Sequence, residues 1–334
     1  MGACSSHHQV TEQDLRNQLA SRNIDRALEA ERKAQKNSSK SEVKLLLLGT
    51  CETGKSTIFK QLKFLYGEDP SIEELHQYRT QILENASQCV KDLTRAMDLL
   101  QIPYDWDPLF PLSSATLVSS DMVGTMVLEA VKTVWHDVGV QYCFTRGSEF
   151  HLMDCCQYVL DNIERITAPF YLPSKQDILH ARELTQKITE LSFQLQKSMI
   201  RVFDIGGIRG QRSKWAPFFE NVNVIIYVTA ISAFDQYTIE DNMTNRVIES
   251  LNLFGSVCNH PMFKKTALVL FMNKIDLFKK KLNTKRIASY FRDYDGPNTY
   301  EDGCQYFVKL FLGINKYRNK QIYVHFTWAT DTNR

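Results

Sequence analysis

The chain has 334 residues, with 40 basic and 38 acidic side chains, a net charge of +2, 43% hydrophobic and 23% charged residues. That length holds two compact domains or one with a large insertion. The composition is that of an ordinary globular protein, and the near-neutral balance gives no argument for a nucleic-acid partner. Eight cysteines lie scattered without C-x-x-C spacing, which suggests neither a zinc site nor a disulfide framework and points to a reducing, cytosolic compartment. No apolar run of about 18 residues spans a membrane, and the start is too polar for a secretory signal.

Met1-Gly2-Ala3-Cys4-Ser5-Ser6 fits the N-myristoylation pattern on Gly2, with Cys4 a candidate for palmitoylation. One acyl chain gives marginal membrane residence and two give stable anchoring, so the expectation is a lipid-anchored protein at the cytoplasmic face of the plasma membrane; the alternative is an unmodified terminus. Residues 8–36 read as helix, rich in Glu, Lys, Arg, Gln and Ala, with a thin apolar stripe of Leu15, Leu19, Ile24 and Leu28. So narrow a face is either a solvated arm or a docking surface for a partner. Asn37-Ser38-Ser39 breaks it.

The apolar run Val43–Leu48 predicts a buried strand, and Ile58–Leu65 a helix. Between them stands Gly49-Thr50-Cys51-Glu52-Thr53-Gly54-Lys55-Ser56-Thr57, the phosphate-binding pattern G-x-x-x-x-G-K-[ST]. Backbone N–H groups of such a loop and the following helix N-terminus converge on phosphate oxygens. Lys55 would reach the β- and γ-phosphates and Ser56 would ligate Mg²⁺.

Tyr66–Ser71 marks a boundary. From Ile72 to about Phe170 the pattern is helical, with Ile72–Leu100 and Met122–Val138 spaced near 3.6 and separated by Pro103, Pro108 and Pro111. This reads as an all-helical insertion. Strand character returns at about Phe193, with strands at Met199–Phe203, Val222–Thr229, Ala267–Met272 and Ile322–Phe326 and helices at Asn242–Leu253, Thr284–Tyr294 and Tyr306–Leu312. The alternation implies a parallel α/β sheet, whose ligands bind at the carboxyl ends of the strands.

The remaining motifs fall at those ends. Asp204-Ile205-Gly206-Gly207 closes one strand: the Asp can hold Mg²⁺ through water, and Gly207 lets a backbone N–H approach a γ-phosphate. Asn273-Lys274-Ile275-Asp276 follows another. The Asp276 carboxylate can accept two N–H bonds from the guanine edge, donors that adenine lacks in that arrangement, with Asn273 and Lys274 bracing the pocket. Thr327-Trp328-Ala329-Thr330 follows the last strand.

In this order the four motifs resemble a Ras-like GTPase. The helical insertion, the M-G-x-C start, Ser21-Arg22-Asn23-Ile24-Asp25 and Gln176-Asp177-Ile178-Leu179-His180-Ala181-Arg182 narrow the resemblance to the α subunits of heterotrimeric G proteins, with the inhibitory-type class weakly favoured. The resemblance implies an α/β fold: a P-loop NTPase sheet with helices on both faces and an inserted all-α domain. It divides the chain into an arm (1–39), a GTPase domain (40–66 and 180–334) and the helical domain (67–179). It implies GTP or GDP as bound nucleotide and Mg²⁺ as cofactor. Lys55 would hold phosphates, with Gly49, Glu52, Thr53, Gly54, Ser56 and Thr57 around them, and Ser56 and Thr185 would ligate the metal. Arg182 would be the catalytic arginine supplied in cis, and Leu179, His180, Ala181 and Arg182 would all bind the nucleotide. Gly207 would donate to the γ-phosphate and move a switch segment, Gly207–Trp215. Asp154 and Cys155 would lie near the nucleotide, and the Ala329 N–H would face guanine O6. The implied partners are a βγ dimer on residues 10–36, a G protein-coupled receptor, and an effector that the sequence does not specify.

Three departures stand out. Ile208 occupies the position after D-x-G-G where the family has a water-orienting Gln; Cys51 replaces a loop Gly; and the chain stops at Asn333-Arg334, where the family continues into a long receptor-contacting helix. The first two predict GTP binding with slow hydrolysis, and Gln211 is not a replacement. The third predicts weak receptor coupling and faster nucleotide release, a truncated product being the plain alternative. Two other readings stay open: a non-cycling adaptor that sequesters βγ, and, disfavoured by Asn273–Asp276, an ATP-using P-loop kinase with a helical lid. Trp215 is either partner-facing or buried, and His7-His8 is a solvated tail before it is a metal site.

Overall fold

All five of the anticipated strands form in the computed structural model, which describes residues 42–104, 125–185, 187–317 and 319–332, with backbone alone for 125–130. Gly2, Cys4, the His7-His8 pair and the helical reading of residues 8–36 lie outside the described residues. The strands are β1 (Glu42–Leu48), β2 (Thr189–Leu195), β3 (Ser198–Asp204), β4 (Val224–Ala230), β5 (Ala267–Asn273) and β6 (Ile322–Thr327). They form one sheet in the order β2-β3-β1-β4-β5-β6. Every pairing is parallel except β2 with β3.

The antiparallel edge is a difference from the wholly parallel expectation. Leu191, Phe193 and Leu195 alternate with Glu190, Ser192 and Gln194, and only Phe193 is buried, which is the pattern of a one-faced edge strand. Gln196 turns the chain in the left-handed region (φ 55°), so a tight hairpin replaces a crossover. The central strand shows the opposite pattern: Leu46, Leu47 and Leu48 are all fully buried. Successive side chains point to opposite faces, so both faces of β1 are covered.

One core packs Leu46, Leu48, Tyr227, Leu268 and Leu270 under α8 (Arg246–Cys258), α9 (Ile275–Lys281) and α10 (Tyr300–Gly313). On the opposite face Leu47, Val202 and Val228 meet Ile58 of α1 (Lys55–Tyr66). A third core is purely helical and draws its residues from Ile82 to Ala181. It is built on α2 (Ile72–Leu100), started by a capping box in which Ser71 and Glu74 satisfy each other's backbone N–H. Around it stand α3 (Thr125–His136), α4 (Val138–Thr145), α5 (Cys156–Asp161), α6 (Ile163–Thr167) and α7 (Lys175–His180).

The helix expected over Thr284–Tyr294 is instead a single 3₁₀ turn, Ile287–Ser289. Asn298 is the cause. Its carboxamide donates to the carbonyls of Leu282 and Lys285 and accepts from the N–H of Ile287, each at 3.0 Å. Those backbone groups are then satisfied without a helical ladder.

Six residues are too few for α7 to hold itself together. It is fixed by the fully buried carboxylate of Asp177, which accepts from Arg165 (2.7 and 2.8 Å), from the Tyr158 hydroxyl (2.7 Å) and from Ser174. Burial alone would raise the Asp177 pKa, but these donors outweigh it and hold the carboxyl well below the usual range. A carboxyl depressed on folding stabilises the native state above the unfolded pKa of about 4, and that contribution is lost as the pH falls through the folded value. Asp177→Asn is therefore expected to cost about 2 kcal/mol at neutral pH, less than a fully buried pair because Arg165 is half exposed, and to flatten the acid limb of stability measured by urea unfolding between about pH 3 and 7.

Candidate functional site

The phosphate loop is shaped by two glycines. Gly49 sits at φ 146° and Gly54 at φ 98°. A Cβ on Gly49 would stand 2.2 Å from the Val228 carbonyl oxygen, and one on Gly54 2.2 Å from Asn273 Nδ2. Neither position tolerates a side chain. Glu52 adopts a left-handed φ of 58° between them. Lys55, 5% exposed, donates to the Thr50 carbonyl at 2.6 Å. Burial pulls its pKa down, with Asp204 acting the other way.

Beside the loop, the hydroxyls of Ser56 and Thr185 meet at 2.6 Å. Asp204, at the carboxyl end of β3, is 2% exposed, and its Oδ1 has no hydrogen-bond partner. Burial pushes its carboxyl up, while Ser56 and Lys55 pull it down. Two hydroxyls and an orphaned buried carboxylate oxygen are hard donors of the kind Mg²⁺ takes, so the residues fit that ion. Gly207 follows closely: a Cβ there would lie 2.6 Å from the carbonyl oxygens of Gly49 and Thr50.

At the end of β5, the buried Asn273 carboxamide donates to the Thr53 carbonyl (2.8 Å) and accepts from Thr327 Oγ1 (3.0 Å) and the Ala329 N–H (3.2 Å). Lys274 turns at φ 61°, donates to the Glu52 carbonyl at 2.5 Å and pairs with Asp154. Asp276 opens α9 half-buried; burial raises its carboxyl, opposed by the N–H groups of Leu277 and Asp276 itself.

Arg182 pairs with Glu52, whose other oxygen meets Arg246 at 3.0 Å. Burial would raise the Glu52 carboxyl, but Arg246 and Arg182 hold it below its ordinary value. The main chain of Arg182 is clamped from α2: Asn85 accepts from its N–H (2.7 Å) and donates to its carbonyl (3.0 Å). Lys60 of α1 donates to the carbonyls of Ile178 and Ala181 (3.0 and 2.8 Å).

These groups share one cleft of about 1600 Å³. It is lined by Glu52, Thr53, Gly54, Lys55, Ser56, Thr57, Asp154, Cys155, Leu179, His180, Ala181, Arg182, Thr185, Asp204, Gly207, Asn273, Lys274, Asp276 and Ala329. Of the site residues anticipated among the described ones, Gly49 alone is absent from that lining; it lies against the Val228 carbonyl of β4. Cys51 and Ile208 also face the cleft, whereas Gln211 does not line it. The Gln211 carboxamide lies against Gly206 instead. Trp215 is 3% exposed and donates to the Gly206 carbonyl at 3.0 Å, which settles it as buried.

Sequence reasoning missed Asn85, Lys60, Gln61 and Arg246. Asn85 left one signal: a carboxamide, 5% exposed, on the stripe of α2 that carries Ile82, Ala86 and Cys89. Lys60 and Gln61 left none, because each acts on backbone carbonyls.

A family model described as G-protein alpha subunit matches residues 18–334. Similar proteins include the guanine nucleotide-binding protein alpha-1 subunit of Mycosarcoma maydis, 42% identical over 316 residues, which cover 93% of this chain and 88% of the relative. The alpha-1 subunit of Neurospora crassa is 40% identical over 316 residues, 92% of this chain and 88% of the relative. A guanine nucleotide-binding protein subunit alpha of Cryphonectria parasitica is 41% identical over 315 residues, with 92% and 88% covered.

Asn85→Ala removes both hydrogen bonds to the Arg182 main chain and leaves its N–H and carbonyl without those partners. It is expected to lower stability by about 1–3 kcal/mol in urea unfolding, with hydrogen exchange at the Arg182 amide accelerated.

Proposed function

The chain belongs to the G-protein alpha-subunit family, and we propose that it works as a guanine-nucleotide switch that binds a βγ dimer with GDP, an effector with GTP, and hydrolyses GTP slowly. The observation that carries this is a single cleft holding both the loop of Lys55 and the carboxylate of Asp276, with an orphaned carboxylate oxygen on Asp204 between strand and loop. In this reading Lys55 and the loop N–H groups bind the phosphates, Asp276 selects guanine, and Ser56, Thr185 and Asp204 would hold Mg²⁺. The ion, when bound, offsets charge on the β- and γ-phosphate oxygens. Arg182 stabilises charge on the transferring phosphoryl group once it leaves Glu52. The reading extends to receptor signalling and to a membrane anchor through lipids on Gly2 and Cys4.

Slow turnover rests on Ile208 and Cys51, which both face the cleft where an attacking water must be aligned. An aliphatic side chain offers no hydrogen bond to orient that water, and the Cys51 side chain takes up space a glycine leaves open. Phosphate binding uses other groups, so affinity and hydrolysis separate.

The test begins with the nucleotide carried by purified full-length protein, followed by single-turnover GTP hydrolysis after preloading. Bound GDP or GTP is expected. The combined Ile208→Gln and Cys51→Gly variant is expected to hydrolyse on the order of 100-fold faster than the native chain. Equal rates would remove the claim of slow hydrolysis; failure to bind any guanine nucleotide would remove the switch itself. A chain that retains βγ after loading with Mg²⁺ and GTP would instead be a non-cycling adaptor.

A further inference from the structure

The loop after β6 is short and half-exposed, yet four hydrogen bonds from three side chains hold its backbone. Asn273 accepts from the Ala329 N–H at 3.2 Å. Gln61 of α1 donates to the carbonyls of Ala329 and Asp331 at 3.0 and 3.2 Å. The third side chain comes from a different part of the molecule: Gln176, on α7, donates to the Thr330 carbonyl at 3.0 Å.

Gln176 stands six residues before Arg182, on a helix fixed on its other sides. Asp177 bolts α7 to Arg165, and Lys60 holds the carbonyls of Ile178 and Ala181. The His180 ring stacks on Tyr158 at 3.7 Å, and its Nδ1 meets the Gln176 carbonyl at 3.0 Å. The Gln176 carboxamide therefore extends from a rigid base. Both Gln176 and Thr330 line the cleft.

We propose that Gln176 is a positioning residue that latches the Trp328–Thr330 loop to the helix leading to Arg182, and so sets how long a guanine nucleotide stays bound. The inference rests on the switch reading above. In that reading the base sits at the Ala329 N–H and the phosphates at Lys55, and the Gln176–Thr330 bond ties the loop at the base to the helix leading to Arg182. The latch touches no reacting atom; it acts through the Thr330 carbonyl and the loop that carries the Ala329 N–H.

Two substitutions of nearly equal size separate the hydrogen bond from packing. Gln176→Glu keeps the shape but sets a carboxylate against the Thr330 carbonyl, acceptor facing acceptor. Gln176→Met keeps the length and removes the carboxamide, donor and acceptor together. Full-length protein is loaded with a fluorescent GDP and chased with excess unlabelled GDP. Release is expected to be about 3- to 10-fold faster for the Met variant than for the native chain, and faster again for the Glu variant. Unfolding midpoints at saturating GDP check that each protein is folded, and a packing role predicts no such order. Loading with identical release rates in all three overturns the latch and leaves the switch intact. Failure of the native chain to load overturns both. Should the Glu variant not fold, the Met variant decides alone: release no faster than native ends the proposal.

Discussion

The Asn273 carboxamide is the joint on which the site depends. It is 1% exposed and makes three hydrogen bonds, one to the phosphate loop and two to the end of β6 and the loop after it, segments distant in sequence. Its amide donates to the phosphate loop at Thr53, and its oxygen receives the Thr327 hydroxyl and the Ala329 N–H. A buried amide so placed costs little only while every partner is present, so the phosphate loop and the loop after β6 are fixed together. The requirement reaches back into the sequence at Gly54: any side chain there would occupy the space of Asn273 Nδ2. Glycine at 54 and asparagine at 273 are one constraint written twice.

Around that joint the charges form a second lattice. Glu52 pairs with both Arg182 and Arg246, while Lys274 reaches the Glu52 carbonyl and the Asp154 carboxylate. Removing a carboxylate from water is unfavourable by itself, and two guanidiniums are what keep Glu52 ionised there. The lattice also crosses from the helical core to the sheet, since Asp154 and Arg182 border the former and Glu52, Arg246 and Lys274 belong to the latter. Ion pairs and the Gln176–Thr330 hydrogen bond thus tie together segments that line the same cleft.

What was legible in the sequence follows from the kind of constraint each residue obeys. Phosphate, metal and base recognition each demand particular side chains at fixed spacing after a strand, so Lys55, Ser56, Asp204, Asn273 and Asp276 could be read directly and now line one cleft. Contacts to backbone carbonyls demand only a donor within reach, and any of several residue types supplies it. Lys60, Gln61 and Asn85 therefore left no spacing to find, although the position of Asn85 on an apolar stripe hinted at it. Strand character was legible from about Phe193, but β2 was not among the strands anticipated, and its direction depended on the Gln196 turn, which carries no glycine to mark it. The loss of a helix at 284–294 depended on Asn298, beyond the segment itself, so no local reading could have seen it.

The placement of Ile208 and Cys51 shows why binding and turnover need not change together. In the proposed switch the groups that would grip phosphate are backbone N–H groups, the Lys55 ammonium and a loop conformation enforced at Gly49 and Gly54 by steric contact. None of these is altered by a side chain at 51, because the crowded glycine positions are 49 and 54 and neither is substituted. Residue 208 lies one step past Gly207, whose closeness to the Gly49 and Thr50 carbonyls is kept. Ile208 is therefore carried to the edge of the cleft by the same backbone that would carry a polar side chain. The scaffold is intact and only the functional group differs, so in the proposed switch any effect of Ile208 would fall on the alignment of water rather than on the loop that would hold the phosphates.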